Sequence, residues 1–266
     1  MTITLDRLVD VARAKAAADR ETLPSEDLLA RIRETGVLDR RPGRLVSALR
    51  SDGMAVIAEV KGVSPVTGQL RSGYDAAAIA RQYEAAGAAA ISVLTEATYF
   101  GGSLEALEQV ALAVEIPVLR KDFIVEPYQI QQAALAGAAA VLLIAEALTA
   151  AELVELVAVA HECRLDAMVE VHRRDSVAAA LAADSGIIGV NSRNLETMTV
   201  DWRYALGVAP ALPAAVVRVA ESGISEPAQL VELAGVGYDA ALVGSSLMAA
   251  ADPGQALRVL LGDVAP

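Results

Sequence analysis

Eight short β-branched or apolar runs recur along the chain, separated by Ala-rich segments of helical period, and this cadence constrains the fold more than any other feature. The runs are Ala55 to Val60, Ala89 to Leu94, Val118 to Lys121, Ala140 to Ala145, Ala167 to Val171, Ile187 to Asn191, Val216 to Glu221 and Ala240 to Val243. Their ends fall about 26 residues apart, the length of one βα unit. Eight such units close a parallel sheet on itself. The sequence therefore predicts an α/β protein, a single (β/α)8 TIM barrel with an N-terminal helical extension, with residues 1–266 forming one domain.

Residues 1–53 precede the first run and hold helical patterns at Leu5 to Ala18, Ser25 to Glu34 and Arg44 to Leu49. They are too few to build a second core, so they are expected to pack on the barrel and to place a segment over one mouth. A short repeat, AGAAA, occurs at Ala86 to Ala90 and again at Ala136 to Ala140, each time between a helix and a strand, where glycine suits a helix C-cap. By itself it is weak evidence, because the whole chain is rich in alanine.

Composition narrows the function. With 55% hydrophobic and 21% charged residues, the chain describes a globule with a large core. Uncharged stretches such as Ala133 to Ala145 and Tyr204 to Val217 fall short of the roughly 18 residues of a membrane span. The opening MTITLDRLVDVARAK alternates charged and apolar residues, unlike a secretory leader, and the protein is read as cytoplasmic with no membrane partner. One cysteine, Cys163, excludes an internal disulfide, and two histidines without ligand spacing disfavour a metal site. A net charge of −12 repels polyanions, so nucleic acid is not an expected partner, and an anionic substrate must be held by local lysines and backbone amides.

In parallel barrels the active site forms at the C-terminal ends of the strands. The first run ends IAEVKGVSP, and alternation puts Glu59 and Lys61 on one face, directed inward. An ion pair that merely satisfies itself is the bland alternative. The third run brings Lys121 inward and the fifth brings Glu170. Burial and a neighbouring lysine lower a lysine's pKa, and an apolar surround raises a glutamate's, which would move both toward the working pH. Either residue alone could be a solvated rim charge. Asn191 and Arg193 share a face in VNSRNL, while ESGI and VGSSL supply Ser222, Gly223, Gly244 and Ser245, the small and hydroxyl residues that a phosphate site needs at barrel strand ends. Two ordinary Gly/Ser loops remain the alternative there. His161, Cys163 and His172 are read as structural or exposed rather than catalytic.

Taken in order, IAEVKGVSP, TEATYFGGSL, LRKDFIVEPYQI, VLLIAEAL, VEVH, IIGVNSRNL, ESGI and VGSSLM resemble the indole-3-glycerol phosphate synthase family across about residues 54–250. LRKDF with its PYQI continuation, together with GVNSRNL, carries most of the specificity. The resemblance implies decarboxylative ring closure and dehydration of a carboxyphenylamino-deoxyribulose phosphate, a carboxy-lyase step of tryptophan biosynthesis, with no cofactor and no metal. It implies Lys121 as the acid on the sugar carbonyl and Lys61 as the lysine that holds the substrate carboxylate. Glu170 would be the partner acid or base, Glu59 would set the charge of Lys61, and Asn191, Ser222 and Arg193 would position substrate. Ser64, Gly223, Gly244 and Ser245 correspond to phosphate positions, and Phe123 and Leu195 to apolar walls for the aromatic ring. The resemblance also leaves room for weak contact with other tryptophan-pathway enzymes.

The loop after the first run departs from the family pattern: where K-K/R-x-S-P-S-K-G is usual, the chain has Lys61-Gly62-Val63-Ser64-Pro65-Val66-Thr67-Gly68. That departure bears on loop closure and turnover. Two other readings stand beside the main one. Another phosphosugar barrel, such as a ketose-forming isomerase, would share the phosphate loops but has no need of Lys61, Lys121 and Glu170 together. A catalytically weak phosphosugar-binding barrel, acting as a partner subunit, is motivated by the altered loop.

Overall fold

The computed structural model describes residues 4–50, 53–64, 68–69, 74–195 and 197–263. Eight parallel strands form a closed barrel: β1 (Ala55–Val60), β2 (Ala90–Leu94), β3 (Val118–Lys121), β4 (Ala140–Ile144), β5 (Asp166–Val171), β6 (Gly186–Asn191), β7 (Val217–Glu221) and β8 (Ala240–Val243). Each strand pairs with its neighbours in sequence, and β8 returns to β1 through Ala55↔Ala240 and Ala58↔Val243. Buried β-branched and alanine side chains on both faces make these runs strands. The helices between them bury one face against the outside of the sheet. Those at Ala76–Ala85 and Pro127–Leu135 end just before Gly87 and Gly137, whose φ values of +93° and +91° take the left-handed turn that closes a helix. The AGAAA repeat marks these two turns.

Two apolar layers follow from strand alternation. Val56, Ala58 and Val60 point out to the helices, whereas Ile57, Leu119, Leu142, Met168, Ile187, Val219 and Leu242 fill the barrel. Above this filled floor the inward positions turn polar, and the site begins there.

Among the described residues, three α-helices precede β1. The first, α1 (Leu5–Thr22), runs four residues past the pattern read from sequence because its last turn, Asp19 to Thr22, is polar and carries no apolar period. It is followed by α2 (Ser25–Glu34) and α3 (Arg44–Leu49). The third helix closes the bottom of the barrel: Leu45 and Leu49 are fully buried within the inner layer. Its own N-cap, Gly43, offers no side-chain acceptor, so the Asp166 carboxylate at the start of β5 takes the amides of Leu45 (2.7 Å) and Val46 (3.3 Å) instead. The first helix reaches the opposite mouth, where Arg7 donates to the Tyr99 hydroxyl at 2.8 Å. Arg20 also pairs with Glu126 and lies over the Tyr128 ring. No helix among the described residues is long and apolar enough to cross a membrane.

Candidate active site

A cavity of about 580 Å³ opens at the C-terminal ends of the strands, within the size range of small-molecule sites. Alternation explains its lining. Residues two apart at each strand end face the axis together: Glu59 with Lys61, Lys121 with Phe123, Glu170 with His172, Asn191 with Arg193, and Glu221 with Gly223. Of the residues singled out from sequence, Glu59, Lys61, Lys121, Phe123, Glu170, Asn191, Arg193, Leu195, Ser222, Gly223, Gly244 and Ser245 all line this one cavity. The Ser64 side chain and residues 65–67 lie outside what is described; the Ser64 backbone forms a two-residue hairpin strand opposite Gly68–Gln69.

Lys121 is the electrostatic centre. Its ammonium donates to Glu170 Oε2 at 2.7 Å and to Glu221 Oε2 at 3.0 Å. Burial alone would lower its pKa, but Glu170, Glu221 and Glu59 outweigh burial and raise it, so the side chain is a firmly charged ammonium. Burial likewise pushes Glu170 up, yet Lys121 and His172 bring it down to about 2. Both directions reverse the sequence expectation, because three carboxylates from separate strands converge on one lysine. The carboxyl that does rise is Glu221, driven up by its burial and by the neighbouring Glu170 carboxylate against the pull of Lys121. One of its oxygens, Oε1, has no hydrogen-bond partner and sits where a Cβ on Gly189 would be. Glycine at 189 is therefore a requirement of Glu221.

Beside this group, Glu59 Oε1 lies 2.6 Å from Lys61 Nζ. A Cβ on Gly244 would strike the Glu59 carboxylate, so Gly244 makes room for that ion pair. The side-chain carbonyl of Asn191 accepts from the Ser222 hydroxyl (2.9 Å) and the Arg193 amide (3.0 Å), which leaves its amide nitrogen as the group available to a ligand. Ser222 itself has φ +69°, a left-handed conformation that costs a non-glycine residue on the order of 1 kcal/mol. That strain sits at the loop joining β7 to its helix, next to the Gly244–Ser245 loop from the adjacent strand.

The walls are apolar. Phe100 and Phe123, the chain's two phenylalanines, stand 6.2 Å apart between ring centroids. Glu96, 6% exposed, ties the Phe100 loop down by accepting from the amides of Thr98, Tyr99 and Phe100. Leu5 and Leu8 of α1 complete the rim. Behind β3, buried Arg120 donates to Asp122, to the Thr95 hydroxyl and to the Gln129 carbonyl, fixing the strand end that carries Lys121. At Gly62, where the family pattern has a basic residue, a Cβ would come within 2.5 Å of the Tyr74 ring, so the missing side chain is matched by an aromatic in its space.

Sequence reading missed Glu221 and His172. Each stands two residues beyond an inward position, the same signal that identified Lys61 from Glu59. His172, read as structural or exposed, has a side chain 5% exposed at the cavity wall, 3.3 Å from Glu170. Leu8, Phe100 and Met198 were also missed, since their loops and helix carry no alternation.

Comparison with known proteins agrees with this geometry. A family model described as indole-3-glycerol phosphate synthase matches residues 5–260. Among curated proteins, the chain is similar to indole-3-glycerol phosphate synthase of Mycolicibacterium vanbaalenii, 46% identical over 97% of this chain and 93% of that one. It is similar to indole-3-glycerol phosphate synthase 1 of Streptomyces coelicolor at 45% identity, over 97% and 94%. Among solved structures, 3-hexulose-6-phosphate synthase superposes with a TM-score of 0.63 at 15% identity, covering 80% of this chain and all 100% of that one. Thiamine phosphate pyrophosphorylase from Pyrococcus furiosus gives 0.60 at 16%, over 80% and 96%. At such identities the structural likeness speaks for the barrel alone.

Proposed function

The chain belongs to the indole-3-glycerol phosphate synthase family, and from that membership we propose how its own residues divide the work. The reaction is the decarboxylative ring closure and dehydration of 1-(2-carboxyphenylamino)-1-deoxy-D-ribulose 5-phosphate to indole-3-glycerol phosphate. The setting of this reading is the cytoplasm, in weak contact with other enzymes of tryptophan biosynthesis.

The substrate phosphate is held by Gly223, Gly244, Ser245 and Ser64, and the aromatic ring lies between Phe123 and Leu195. This folds an extended molecule so that its ring carbon meets the sugar carbonyl, an orientation effect worth several kcal/mol in general. Attack forms the new carbon–carbon bond and puts an electron pair on the carbonyl oxygen. Lys121 protonates that oxygen; it carries its proton at neutral pH and yields it only to a strong base, which the developing oxyanion is. Lys61 holds the substrate carboxylate until carbon dioxide leaves, when the electron pair of the broken bond returns to the ring. The hydroxyl then departs as water with Lys61 as acid, while the adjacent carbon, the one bonded to the amine nitrogen, gives its proton to the ionised Glu170 and the electron pair of that C–H bond becomes the new double bond. Asn191 and Ser222 position the sugar hydroxyls, with Arg193 behind them, and Glu59 sets the charge of Lys61. Glu221, whose carboxyl is pushed up by its burial and by the Glu170 carboxylate, takes up a proton more readily than an ordinary glutamate and is a further donor beside Lys121.

The observation that carries this reading is the Lys121 ammonium, gripped by Glu170 at 2.7 Å and Glu221 at 3.0 Å inside a phosphosugar-sized cavity. A weak binding barrel would not need so costly a cluster of buried charge. The test is product fluorescence from the carboxyphenylamino substrate without added metal. Wild type should turn over, and Lys121→Ala should lose about 100-fold or more in kcat. A folded wild-type enzyme that binds product tightly yet makes none would move the partner-subunit reading to the front.

A further inference from the structure

Glu170 has two oxygens, and each has its own partner: Oε2 receives Lys121 at 2.7 Å, and Oε1 lies 3.3 Å from His172 Nε2. The other ring nitrogen of His172, Nδ1, lies 3.4 Å from Glu146 Oε2. Glu146 is itself pinned. Its Oε1 accepts the amides of His172 (3.0 Å) and Arg173 (3.1 Å), and the Ser176 hydroxyl bonds the same carboxylate. The side chains of His172 and Glu146 are only 5% and 7% exposed.

The sheet register explains the meeting. Ile144 of β4 pairs with Glu170 of β5 at the end of the ladder; just past it Glu146 sits in a 3-10 turn, Ala145–Ala147, and His172 directly follows β5, so the two side chains meet above the paired strand ends. A carboxylate, an imidazole, a second carboxylate and an ammonium therefore form one line, Glu146–His172–Glu170–Lys121. Histidines that orient a working group commonly have their second nitrogen fixed by a carboxylate in this way.

We propose that His172, anchored by Glu146, is a positioning residue for Glu170. It holds Oε1, leaving Oε2 aimed at Lys121 and at the substrate protons between them. His172 touches no reacting atom in this scheme; it acts through Glu170. Without it the glutamate can rotate about its terminal bond, and Glu221 competes for Lys121. The proposal rests on the synthase reading for its kinetic arm only.

Two substitutions separate the two ends of the ring. Gln at 172 places an amide nitrogen near the Nε2 position and can still reach Glu170. Asn is shorter, stands in for Nδ1 and reaches only Glu146. With folding checked by thermal unfolding, H172N should lose roughly tenfold or more in kcat with KM within about twofold, and H172Q should recover most of that loss. Equal loss in both variants, or wild-type kcat in H172N, overturns the proposal. A second arm needs no turnover. The chain has two histidines, so the ring 15N signals of His172 are assigned by their disappearance in H172Q. E170Q should shift the Nε2 signal more than Nδ1, and E146Q the reverse; the opposite pattern overturns the proposal even if the synthase assignment itself fails.

Discussion

Two loops on opposite sides of the barrel mouth have the same frame and carry different chemistry. After β3 the chain reads KDFIVEPYQI (121–130), and after β7, ESGISEPAQL (221–230). In each, the isoleucine is buried, the proline sits in the first turn of the following helix, and one glutamine ties the loop back on itself. Gln129 accepts from Val125 at 2.9 Å and donates to the Phe123 carbonyl at 2.9 Å; Gln229 accepts from Ser225 at 2.7 Å and donates to the Gly223 carbonyl at 3.1 Å. What the frames present differs: an ammonium and an aromatic wall from β3, a carboxyl and a bare backbone from β7. The two meet across the axis at 3.0 Å, Lys121 against Glu221. The frame is thus a structural solution for turning from strand to helix, and the first and third residues it holds up line the cavity.

The strongest way to break this comparison is to exchange what the frames present. Lys121→Glu would set three carboxylates, Glu170, Glu221 and the new one, together with no lysine among them, and should cost about 3–5 kcal/mol in urea unfolding. Adding Glu221→Lys restores a cation within reach of Glu170 and should recover at least half of that stability. Turnover should stay absent, because the ammonium now projects from β7, across the axis from where the proposed acid stands. A swapped double variant that is active would mean that the two positions are interchangeable and that only net charge matters.

Cutting the frames themselves sharpens the comparison. Gln129→Leu strands the buried Val125 amide and should cost about 1–3 kcal/mol in stability, whereas Gln229→Leu frees amides of exposed residues that water reaches and should cost less. Their kinetic signatures should differ. Loosening the β3 loop displaces Lys121 and should fall mainly on kcat, whereas loosening the β7 loop disturbs Gly223 and should fall mainly on KM for the phosphorylated substrate. Identical signatures would mean that both loops serve one function.

How far this was legible in the sequence depends on the range of the interaction. Strands and helices are local, and the eight runs fell within a residue or two of the observed strands. Inward residues follow from alternation, which is why Glu59, Lys61, Lys121 and Glu170 could be placed together. The same rule reaches His172 and Glu221, but residue type was weighed above position. The shared I-x-E-P-x-Q frame is visible too, yet the AGAAA repeat, which marks only two helix-ending turns, is the easier match. Charge states were beyond reach. The pKa of Lys121 depends on carboxylates from β1, β5 and β7, whose approach only the closed barrel sets, and so its direction came out opposite to the sequence expectation.

The smallest effect, and the one that isolates the β7 side, is the pH dependence of stability. Glu170 and Glu221 act in opposite senses. Glu170 is lowered from 4.5 to about 2 in the fold, so its contribution is present above the unfolded value and is lost as pH falls toward 2. Glu221 is raised, so the folded state holds a proton that the unfolded chain releases above about 4.5. Its contribution is therefore most favourable below that pH and is lost as pH rises. Glu221→Gln keeps a donor toward Glu170 but cannot ionise in the unfolded chain, and should raise Tm by about 2–4 °C at pH 7 with the gain vanishing near pH 4. Glu170→Gln should do the reverse, losing stability at pH 7 and converging on wild type in acid. If both variants shifted Tm in the same direction at neutral pH, the opposition between a raised carboxyl on β7 and a lowered one on β5 would have to be abandoned.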